Sequence, residues 1–240
     1  MKGTTPEGAR NEQEAARWVR GMFDSIAHRY DLANHLLSYN IDRYWRARTV
    51  RRLRHVLDRP DARVLDICCG TGDLALALAK RHPVLASDFS HEMLVRAHTK
   101  ASGRRAPAVL FESDALNLPL RDGSLDLITV AFGFRNLANY DAGLVEMRRV
   151  LKPGGVAAIL EFSQPHGNLF GAVYNFYSRR ILPLIGEMLT GSADAYRYLP
   201  ESVSKFPAAG ELARMMSAAG FENVEFELMT GGAVALHVAH

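Results

Sequence analysis

Cysteine is scarce in this chain, which has two among its 240 residues, Cys68 and Cys69. Neighbouring cysteines rarely pair with each other, so there is no disulfide framework and a reducing compartment is expected. We find no histidine or acid at zinc-ligand spacing beside them, and we therefore predict no metal site. We interpret both side chains as small packing residues beside a turn and not as nucleophiles.

Long apolar runs and a strong excess of one charge are also absent. No apolar run approaches the ~18 residues of a membrane span, and the polar start of the chain is not expected to be a signal peptide. The 29 basic and 26 acidic residues leave a net charge of +3, which is too small to indicate nucleic acid or an anionic membrane by itself. These properties predict a cytoplasmic protein with one globular domain.

The predicted organisation is a single domain with two helical additions. We expect a loose tail at residues 1–12, followed by one domain over 13–240. Within it, residues 13–58 are predicted to form an N-terminal helical cap, because apolar side chains recur four positions apart. Residues 165–206 are predicted to form a helical insertion rich in aromatic residues.

Between these additions, short apolar segments alternate with helical ones. We predict strands at 63–68, 84–88, 109–112, 125–132 and 156–162, with a turn at 152–155. Two further strands, at 222–229 and 233–238, flank Gly231-Gly232 and are expected to form a hairpin. Strands separated by helices indicate βαβ units. The predicted fold class is therefore α/β, with a mostly parallel seven-stranded sheet that ends in an antiparallel hairpin.

A glycine-rich turn, Gly70-Thr71-Gly72, lies between the first predicted strand and the helix after it. Glycine at such a turn lets the backbone approach a ligand, and the helix N-terminus offers free N–H groups. With Ala75 in the third position, the motif fits a dinucleotide-binding fingerprint. A tight strand–helix turn without a ligand is the alternative interpretation.

Three acids lie near the carboxyl ends of the first three predicted strands: Asp66, Asp88 and Asp114. Asp88 follows Asp66 by 22 positions, where a carboxylate can accept hydrogen bonds from both ribose hydroxyls. An acid in the position of Asp114 can accept from the amino group of adenine. This pattern favours a nucleoside pocket over a pyrophosphate site, and the chain has no room for the second nucleotide-binding half of a dinucleotide enzyme.

These motifs resemble those of class I S-adenosylmethionine-dependent methyltransferases, and more narrowly those of the ubiquinone/menaquinone-biosynthesis C-methyltransferases. The resemblance runs from about residue 19 to the end. It is carried by residues 23–34, 132–136 (Phe-Gly-Phe-Arg-Asn), 148–155, 196–202 (Tyr-Arg-Tyr-Leu-Pro-Glu-Ser) and 230–237. It implies a Rossmann-like fold, with S-adenosyl-L-methionine as cofactor and S-adenosyl-L-homocysteine as product.

Carried over position by position, the resemblance implies that Thr71, Asp88, Asp114 and Ala115 bind the cofactor. The full expected set of cofactor-binding residues is Asp66, Gly70, Thr71, Gly72, Asp88, Met93, Asp114, Ala115 and Ala131. The family often has serine at the position of Ala131, and losing that hydroxyl removes one polar contact worth about 1 kcal/mol. We therefore expect this chain to lack that contact and to keep the activity.

The implied reaction, methylation of a quinol ring carbon, sets requirements for the substrate side. A phenolic hydroxyl with a pKa near ~10 must lose its proton, or nearly so, to activate the neighbouring carbon. Arg135 could stabilise the phenolate directly or through a water, with Asn136 orienting it; a structural salt bridge is the alternative. Tyr30 could close the pocket together with Asn34, with Asp31 pointing elsewhere, or could simply be core.

Each of the other candidate residues or segments has two possible interpretations. His237 could be a base or a packed strand histidine. Aromatic and aliphatic residues between 170 and 185 could line a channel for the prenyl tail or form the core of the insertion. The arginines between 43 and 54 could contact anionic lipid, which would place the protein at the inner face of the membrane, or could form a solvated helix face.

The expected partner is a prenylated quinol, with a slight preference for demethylmenaquinol over the ubiquinone precursor. A peripheral membrane contact and a homodimer stay open. No nucleic acid is expected, because Ala131-Phe132-Gly133-Phe134 replaces the Asn/Asp-Pro-Pro-Tyr/Phe motif that follows the fourth strand in many nucleic-acid methyltransferases. A small-molecule O- or N-methyltransferase and a non-catalytic cofactor-binding subunit are the alternatives.

Overall fold

The computed structural model describes residues 3–6, 8–28, 30–31, 38, 40–102, 108–164 and 193–240. The helices of these residues are α1 (Glu12–Ile26), α2 (Ile41–Arg52), α3 (Arg54–Leu57), α4 (Asp73–Ala79), α5 (His91–Ala101), α6 (Tyr140–Val150), α7 (Ala193–Lys205) and α8 (Ala209–Ala218). The strands are β1 (Val64–Ile67), β2 (Val84–Asp88), β3 (Ala108–Glu112), β4 (Leu125–Ala131), β5 (Leu151–Phe162), β6 (Glu225–Met229) and β7 (Val234–Ala239). Short 3-10 turns follow β4 at Phe134–Asn136 and β6 at Thr230–Gly232.

The seven strands form one sheet in the order β3-β2-β1-β4-β5-β7-β6. Strands β1 to β5 pair in parallel, whereas β7 runs antiparallel to both β5 and β6. The predicted fold class, a mostly parallel sheet that ends in an antiparallel hairpin, is therefore confirmed. The strand order reverses direction between β1 and β4, and in such sheets ligands bind outside the carboxyl ends of the strands at that point.

Helices cover both faces of the sheet, so the core has two layers. Successive residues of β1 point to opposite faces: Leu65 and Ile67 pack in the layer that contains α6 and α8, and Val64 packs in the layer that contains α2, α3 and α4. Burial on both faces explains why β1 and β4 are almost continuously apolar and not alternating.

Strand β5 begins earlier than we predicted, at Leu151 instead of 156. Leu125 of β4 pairs with Leu151 and Leu127 pairs with Val156, so the predicted turn at 152–155 is an irregularity within the β4–β5 ladder. Gly154 has φ +71, a left-handed conformation that glycine adopts without steric strain. A local turn pattern is therefore compatible with a longer strand when the neighbouring strand continues the pairing.

Part of the segment that we predicted as a loose tail, 1–12, contacts the rest of the domain. Thr4 is buried, and its amide donates to the carbonyl of Leu137 at 2.8 Å. A Cβ on Gly3 would lie 2.3 Å from the same carbonyl oxygen, so only glycine fits this close approach. Backbone and polar contacts hold this segment in place, and apolar periodicity in the sequence does not reveal such contacts.

The predicted insertion at 165–206 is described only in its last part, where α7 lies. Its candidate channel residues between 170 and 185 lie outside the described residues, as does Asn34. Among the helices that the structure does describe, none is both long enough and apolar enough to cross a membrane. The cap predicted at 13–58 contains α1, α2 and α3, and the arginine-rich helix ends at Arg52.

Candidate active site

A cavity of about 360 Å³ opens at the carboxyl edge of the sheet, where the strand order reverses. Gly72 was expected in the cavity wall but does not line it, although Thr71 and Asp73 on either side of it do. Gly72 has φ +85, and its amide donates to the carbonyl of Cys69 at 2.9 Å. The other residues of the predicted cofactor set line the cavity, as do three predicted substrate-side residues: Tyr30, Asp66, Gly70, Thr71, Asp88, Met93, Asp114, Ala115, Ala131, Arg135 and Asn136.

Unusual backbone conformations mark the ends of β1 and β4. Cys68 and Phe132, the residues that follow these strands closely, have φ +49 and +59, which is uncommon for residues with side chains. A Cβ on Gly133 would lie 2.5 Å from the Cβ of Cys68, so the glycine of the Phe-Gly-Phe-Arg-Asn segment allows the two strand ends to pack together. Burial raises the pKa of both cysteine thiols well above the usual value, which fits packing residues and not nucleophiles.

Two of the acids are buried in the cavity wall. Burial raises the pKa of Asp66 to about 7, although its Oδ1 accepts a hydrogen bond from the Thr129 hydroxyl at 2.6 Å. Burial also raises the pKa of Asp88 to about 6. The Asp88 carboxylate accepts from the amides of Gly70 at 2.8 Å and Ser90 at 2.9 Å. The oxygens of both groups can accept hydrogen bonds from hydroxyl donors, and the ionised forms can also bind a cation.

The third acid, Asp114, is exposed and accepts from the amide of Leu116 at 2.8 Å. This bond closes a turn that places the buried Ala115 in the cavity wall. Ser113, which the motifs did not single out, also lines the cavity, and its buried hydroxyl has no hydrogen-bond partner within the described part of the chain. An unsatisfied buried hydroxyl in a cavity wall is free to bind a polar ligand.

Thr71 lies at the centre of a charged group that joins the helical cap to the glycine turn. Its hydroxyl donates to the carboxylate of Asp31 and accepts from the Lys100 ammonium at 2.9 Å. Lys100 also forms ion pairs with Asp31 at 2.8 Å and with Asp73 at 2.6 Å. Asp31 does not line the cavity, as expected, but its carboxylate contacts Thr71 of the glycine turn.

Arg135 is both a cavity residue and a member of a buried salt bridge. Its Nη1 lies 2.9 Å from the Glu161 carboxylate, and both side chains are at least 95% buried. Glu161 also accepts from the amides of Arg135 at 3.2 Å and Phe162 at 2.8 Å. Burial opposes the positive charge, but Glu161 together with Tyr30 and Tyr198 more than offsets this effect, so the pKa of Arg135 is above its usual value. Arg135 thus remains a cation and cannot accept a proton at neutral pH.

Asn136 and Tyr30 complete the substrate side that we predicted. The Tyr198 hydroxyl donates to Asn136 Oδ1 at 3.1 Å and accepts from the Thr4 hydroxyl at 2.6 Å. Tyr30 is half-buried and packs edge-on against Phe23, with ring centres 5.9 Å apart. The amide side chain of Asn136 is therefore held through a chain of hydrogen bonds that begins near the N-terminus.

His237 does not line the cavity. It is buried on β7, where its Nε2 donates to the carbonyl of Ala209 at 2.8 Å and its ring lies 5.3 Å from that of Phe226. Burial lowers its pKa, which disfavours the protonated form. The interpretation of His237 as a packed strand histidine fits this environment, and the interpretation as a base does not.

Comparison with known proteins gives the family. The sequence profile of the ubiE/COQ5 methyltransferase family matches residues 9–240. A demethylmenaquinone methyltransferase of Thermus thermophilus is 49% identical over 220 residues, which cover 90% of this chain and 98% of that protein. A protein of the same name from Deinococcus radiodurans is 45% identical over 232 residues, which cover 95% of this chain and 94% of that protein.

A further relative and two solved structures extend the comparison. The ubiquinone/menaquinone biosynthesis C-methyltransferase UbiE of Syntrophotalea carbinolica is 44% identical over 222 residues, covering 91% of this chain and 92% of that protein. A SAM-dependent methyltransferase from Thermotoga maritima has a TM-score of 0.65 at 19% identity, covering 92% of this chain and 98% of that one. The [4+2]-cyclase SpnF has a TM-score of 0.66 at 19% identity, covering 97% and 80%.

Similarity to these two structures establishes the fold alone, because one fold carries many activities. The identities of 44–49% over nine-tenths of the chain establish more. They confirm the predicted class of enzyme, a methyltransferase that uses S-adenosyl-L-methionine. The chain therefore belongs to the ubiE/COQ5 methyltransferase family, the S-adenosylmethionine-dependent C-methyltransferases of quinone biosynthesis that its sequence motifs predict.

Proposed function

We propose that this enzyme transfers a methyl group from S-adenosyl-L-methionine to a ring carbon of a prenylated quinol, with demethylmenaquinol as the preferred acceptor. The observation that carries the proposal is one cavity whose wall contains Asp66, Asp88 and Asp114 as well as Tyr30 and Arg135. The Thermus and Deinococcus relatives, both named demethylmenaquinone methyltransferases, support the naphthoquinol ring over the benzoquinol ring.

The donor and acceptor groups of the cavity fit the cofactor. S-adenosyl-L-methionine carries ribose hydroxyls, an adenine amino group and positive charge, and buried carboxylates suit such groups. Asp88 would bind the ribose, Asp114 and Ala115 the adenine, and the unpartnered Ser113 hydroxyl supplies one more polar contact in the same wall. When bound, the cofactor supplies an electrophilic methyl group.

Arg135 would stabilise the negative charge on the quinol oxygen. A guanidinium beside a phenolic hydroxyl lowers the pKa of that hydroxyl from about 10, so the neighbouring ring carbon becomes more nucleophilic. Such electrostatic stabilisation contributes most where water is excluded. The Arg135 Nε is buried and has no hydrogen-bond partner among the described residues, which leaves one donor for a substrate oxygen.

Asn136 and Tyr30 would orient the ring. Correct alignment of the reacting carbon with the methyl group is mostly a matter of positioning, which can supply several kcal/mol. Asn136 is suited to this because Tyr198 holds its carbonyl oxygen and leaves its amide group beside the cavity. Tyr30 adds an aromatic surface that is already packed against Phe23.

The proposal is tested by methyl transfer from labelled S-adenosyl-L-methionine to reduced demethylmenaquinone and to the reduced demethylated ubiquinone precursor, measured side by side. We expect label in both quinone products or in the naphthoquinone alone, with the higher kcat/KM for demethylmenaquinol. The Asp88→Ala variant serves as the control for label that arises without a functional cofactor site. Preference for the benzoquinol would contradict the acceptor that we propose.

Absence of label from both acceptors, with cofactor binding intact by calorimetry, would contradict quinol methylation. A screen of phenols and amines would then separate a small-molecule O- or N-methyltransferase from a non-catalytic cofactor-binding subunit. The first would label a new acceptor, and the second would label none.

We also propose a peripheral contact with the membrane surface, through the exposed arginines Arg43, Arg51 and Arg54. Arg48 and Arg52 instead pair with Glu227 at 2.8 Å and Glu225 at 2.7 Å on β6. Exposed basic residues are attracted to anionic lipid, and the attraction falls with salt. Wild-type protein should pellet with anionic liposomes at low salt, and a variant with the three exposed arginines changed to glutamine should not. Equal pelleting of both proteins would contradict this contact.

A further inference from the structure

The order of strands in the sheet gives the cofactor a direction. The proposed function places adenine at Asp114 and Ala115, after β3, and ribose at Asp88, at the end of β2, and the present inference rests on that assignment. The next strands across the sheet are β1 and β4. Because adenine, ribose, sulfonium and amino acid follow one another in the cofactor, its methionine end would lie at the ends of β1 and β4.

Two cations line the described part of the cavity, Arg46 and Arg135. Arg135 is committed to Glu161 and lies after β4. Arg46 extends from α2 of the helical cap, and its guanidinium carbon lies 5.6 Å from the centre of the Phe132 ring, which follows β4. Arg46 also acts electrostatically on Asp66, whose pKa it lowers in opposition to burial. Arg46 therefore lies near the end of the cavity where the methionine portion is expected.

The Arg46 side chain is held in place by ion pairs, but one of its hydrogen-bond donors has no partner among the described residues. Its exposed fraction is 13%, and its two terminal nitrogens pair with the carboxylates of Asp42 and Asp73, the latter at 3.5 Å. Its Nε is buried and has no hydrogen-bond partner within the part of the chain that the structure describes. A buried, unpaired donor is costly unless a ligand satisfies it. The two acids fix the guanidinium in advance, so little side-chain freedom would be lost on binding.

We propose that Arg46 binds the carboxylate of the methionine portion of S-adenosyl-L-methionine, beside Asp66. Guanidinium and carboxylate form strong, charge-assisted hydrogen bonds with a defined geometry. Arg46 and Asp66 line the same cavity and interact electrostatically, and this pair of opposite charges suits the carboxylate and the ammonium of an amino acid. By this contact the helical cap takes part in cofactor binding, in addition to covering the site.

The experiment compares three ligands by calorimetry: S-adenosyl-L-methionine, decarboxylated S-adenosylmethionine, which lacks only the carboxylate, and 5′-methylthioadenosine, which lacks the amino-acid portion. The proteins are wild type, Arg46→Gln, Arg46→Lys and the matched control Arg48→Gln from the same helix. Arg46→Gln should lower the affinity for S-adenosyl-L-methionine by at least about 30-fold. The same change should alter the affinities for the other two ligands by less than about 2-fold. Arg46→Lys should restore part of the loss, and Arg48→Gln should resemble wild type.

Other outcomes overturn the proposal. If Arg46→Gln lowered the affinities for all three ligands equally, Arg46 would only support the fold of the cap. Equal affinity of wild type for S-adenosyl-L-methionine and its decarboxylated form would mean that no residue binds the carboxylate strongly. Failure of wild type to bind any of the three would contradict the proposed cofactor site itself, which separates that failure from a failure of the Arg46 assignment.

Discussion

The two sides of the cavity are held together in different ways. On the side of β1 to β3, backbone amides next to the strand ends hold the Asp88 carboxylate. On the side of the turn after β4, side chains from distant parts of the chain hold one another: Asn136 binds Tyr198, which binds Thr4, 194 positions away. The Asp88 site is held by the backbone of the sheet edge, although Thr71 nearby also contacts Asp31 of the helical cap. The second side depends on docking of the N-terminal segment and α7.

This difference bears on how each side can fail. A sheet edge built on backbone hydrogen bonds opens only with the core of the domain, while a docked segment held by a few side-chain contacts can open by itself. We therefore expect changes on the cofactor side to abolish binding, and changes in the docked segments to reduce turnover in smaller steps. The predictions below test this division.

The largest effect is expected from Asp88→Ala, on the cofactor side. The change removes the proposed ribose acceptor and leaves the amides of Gly70 and Ser90 without their partner, so we expect no measurable binding of S-adenosyl-L-methionine by calorimetry. Asp61→Ala, at an exposed aspartate, is the control and should bind normally. Near-wild-type affinity of a folded Asp88→Ala protein would remove Asp88 from the cofactor site.

The next effect concerns the buried pair on the substrate side. Loss of Arg135 should lower kcat by about 100- to 1,000-fold and leave the affinity for the cofactor nearly unchanged. Arg135→Ala alone leaves Glu161 buried without its partner, which destabilises the fold by about 3–5 kcal/mol. The double variant Arg135→Met/Glu161→Gln avoids this, because replacing both members of a buried pair is often nearly neutral.

Turnover of that double variant decides the role of the pair. A folded double variant with wild-type kcat would show that the pair is only structural. Glu161→Gln alone tests Glu161 as a positioning residue. It should lower kcat less than loss of Arg135 does, and it should leave the KM for the cofactor unchanged.

The third expected effect is a pH dependence of the free energy of unfolding that comes from Asp66 on the cofactor side. An unfolded aspartate has a pKa near ~3.9, and burial raises that of Asp66 to about 7, so between these values the folded protein retains a proton that the unfolded chain has lost. This contribution to stability is complete below pH ~4 and is lost as the pH rises through about 7. Between pH 5 and 8, wild type should lose about 2–3 kcal/mol of unfolding free energy relative to Asp66→Asn.

Urea unfolding of both proteins across this range measures the difference. The asparagine keeps an acceptor for the Thr129 hydroxyl, and Asp114→Asn, at an exposed position, provides the control. Parallel stability profiles of wild type and Asp66→Asn would contradict a raised pKa at Asp66.

Most of the cofactor side could be predicted from the sequence because its motifs are local, although the contact of Asp31 with Thr71 could not. A short apolar strand, a glycine turn and an acid at the end of the next strand are visible within about twenty residues, and the parallel sheet then brings Gly70, Asp88 and Asp114 to one edge. Gly72 lies in the turn, as predicted, but it does not line the cavity; its amide donates to the carbonyl of Cys69 within the turn.

The partners of the substrate side could not be predicted in this way. Arg135 was identified, but Glu161 lies in an apolar strand where its only signal is a lone acid among hydrophobic residues. Thr4 lies in a segment without periodicity, and nothing in its neighbourhood indicates a contact with Tyr198. Such pairings depend on tertiary docking, which local patterns do not contain.

The smallest expected effect is that of Thr4, which acts as a positioning residue through Tyr198. Thr4→Val keeps the shape of the side chain but removes one hydrogen bond, worth about 1 kcal/mol, so kcat/KM for the quinol should fall about 5-fold. Thr4→Ser should restore it, and the affinity for S-adenosyl-L-methionine should stay constant in both variants. In a Tyr198→Phe background the change at Thr4 should have no further effect, because the chain of hydrogen bonds to Asn136 is already broken. Additive losses would instead mean that Thr4 supports the fold independently of Asn136, and the N-terminal segment would then belong to the scaffold and not to the substrate side.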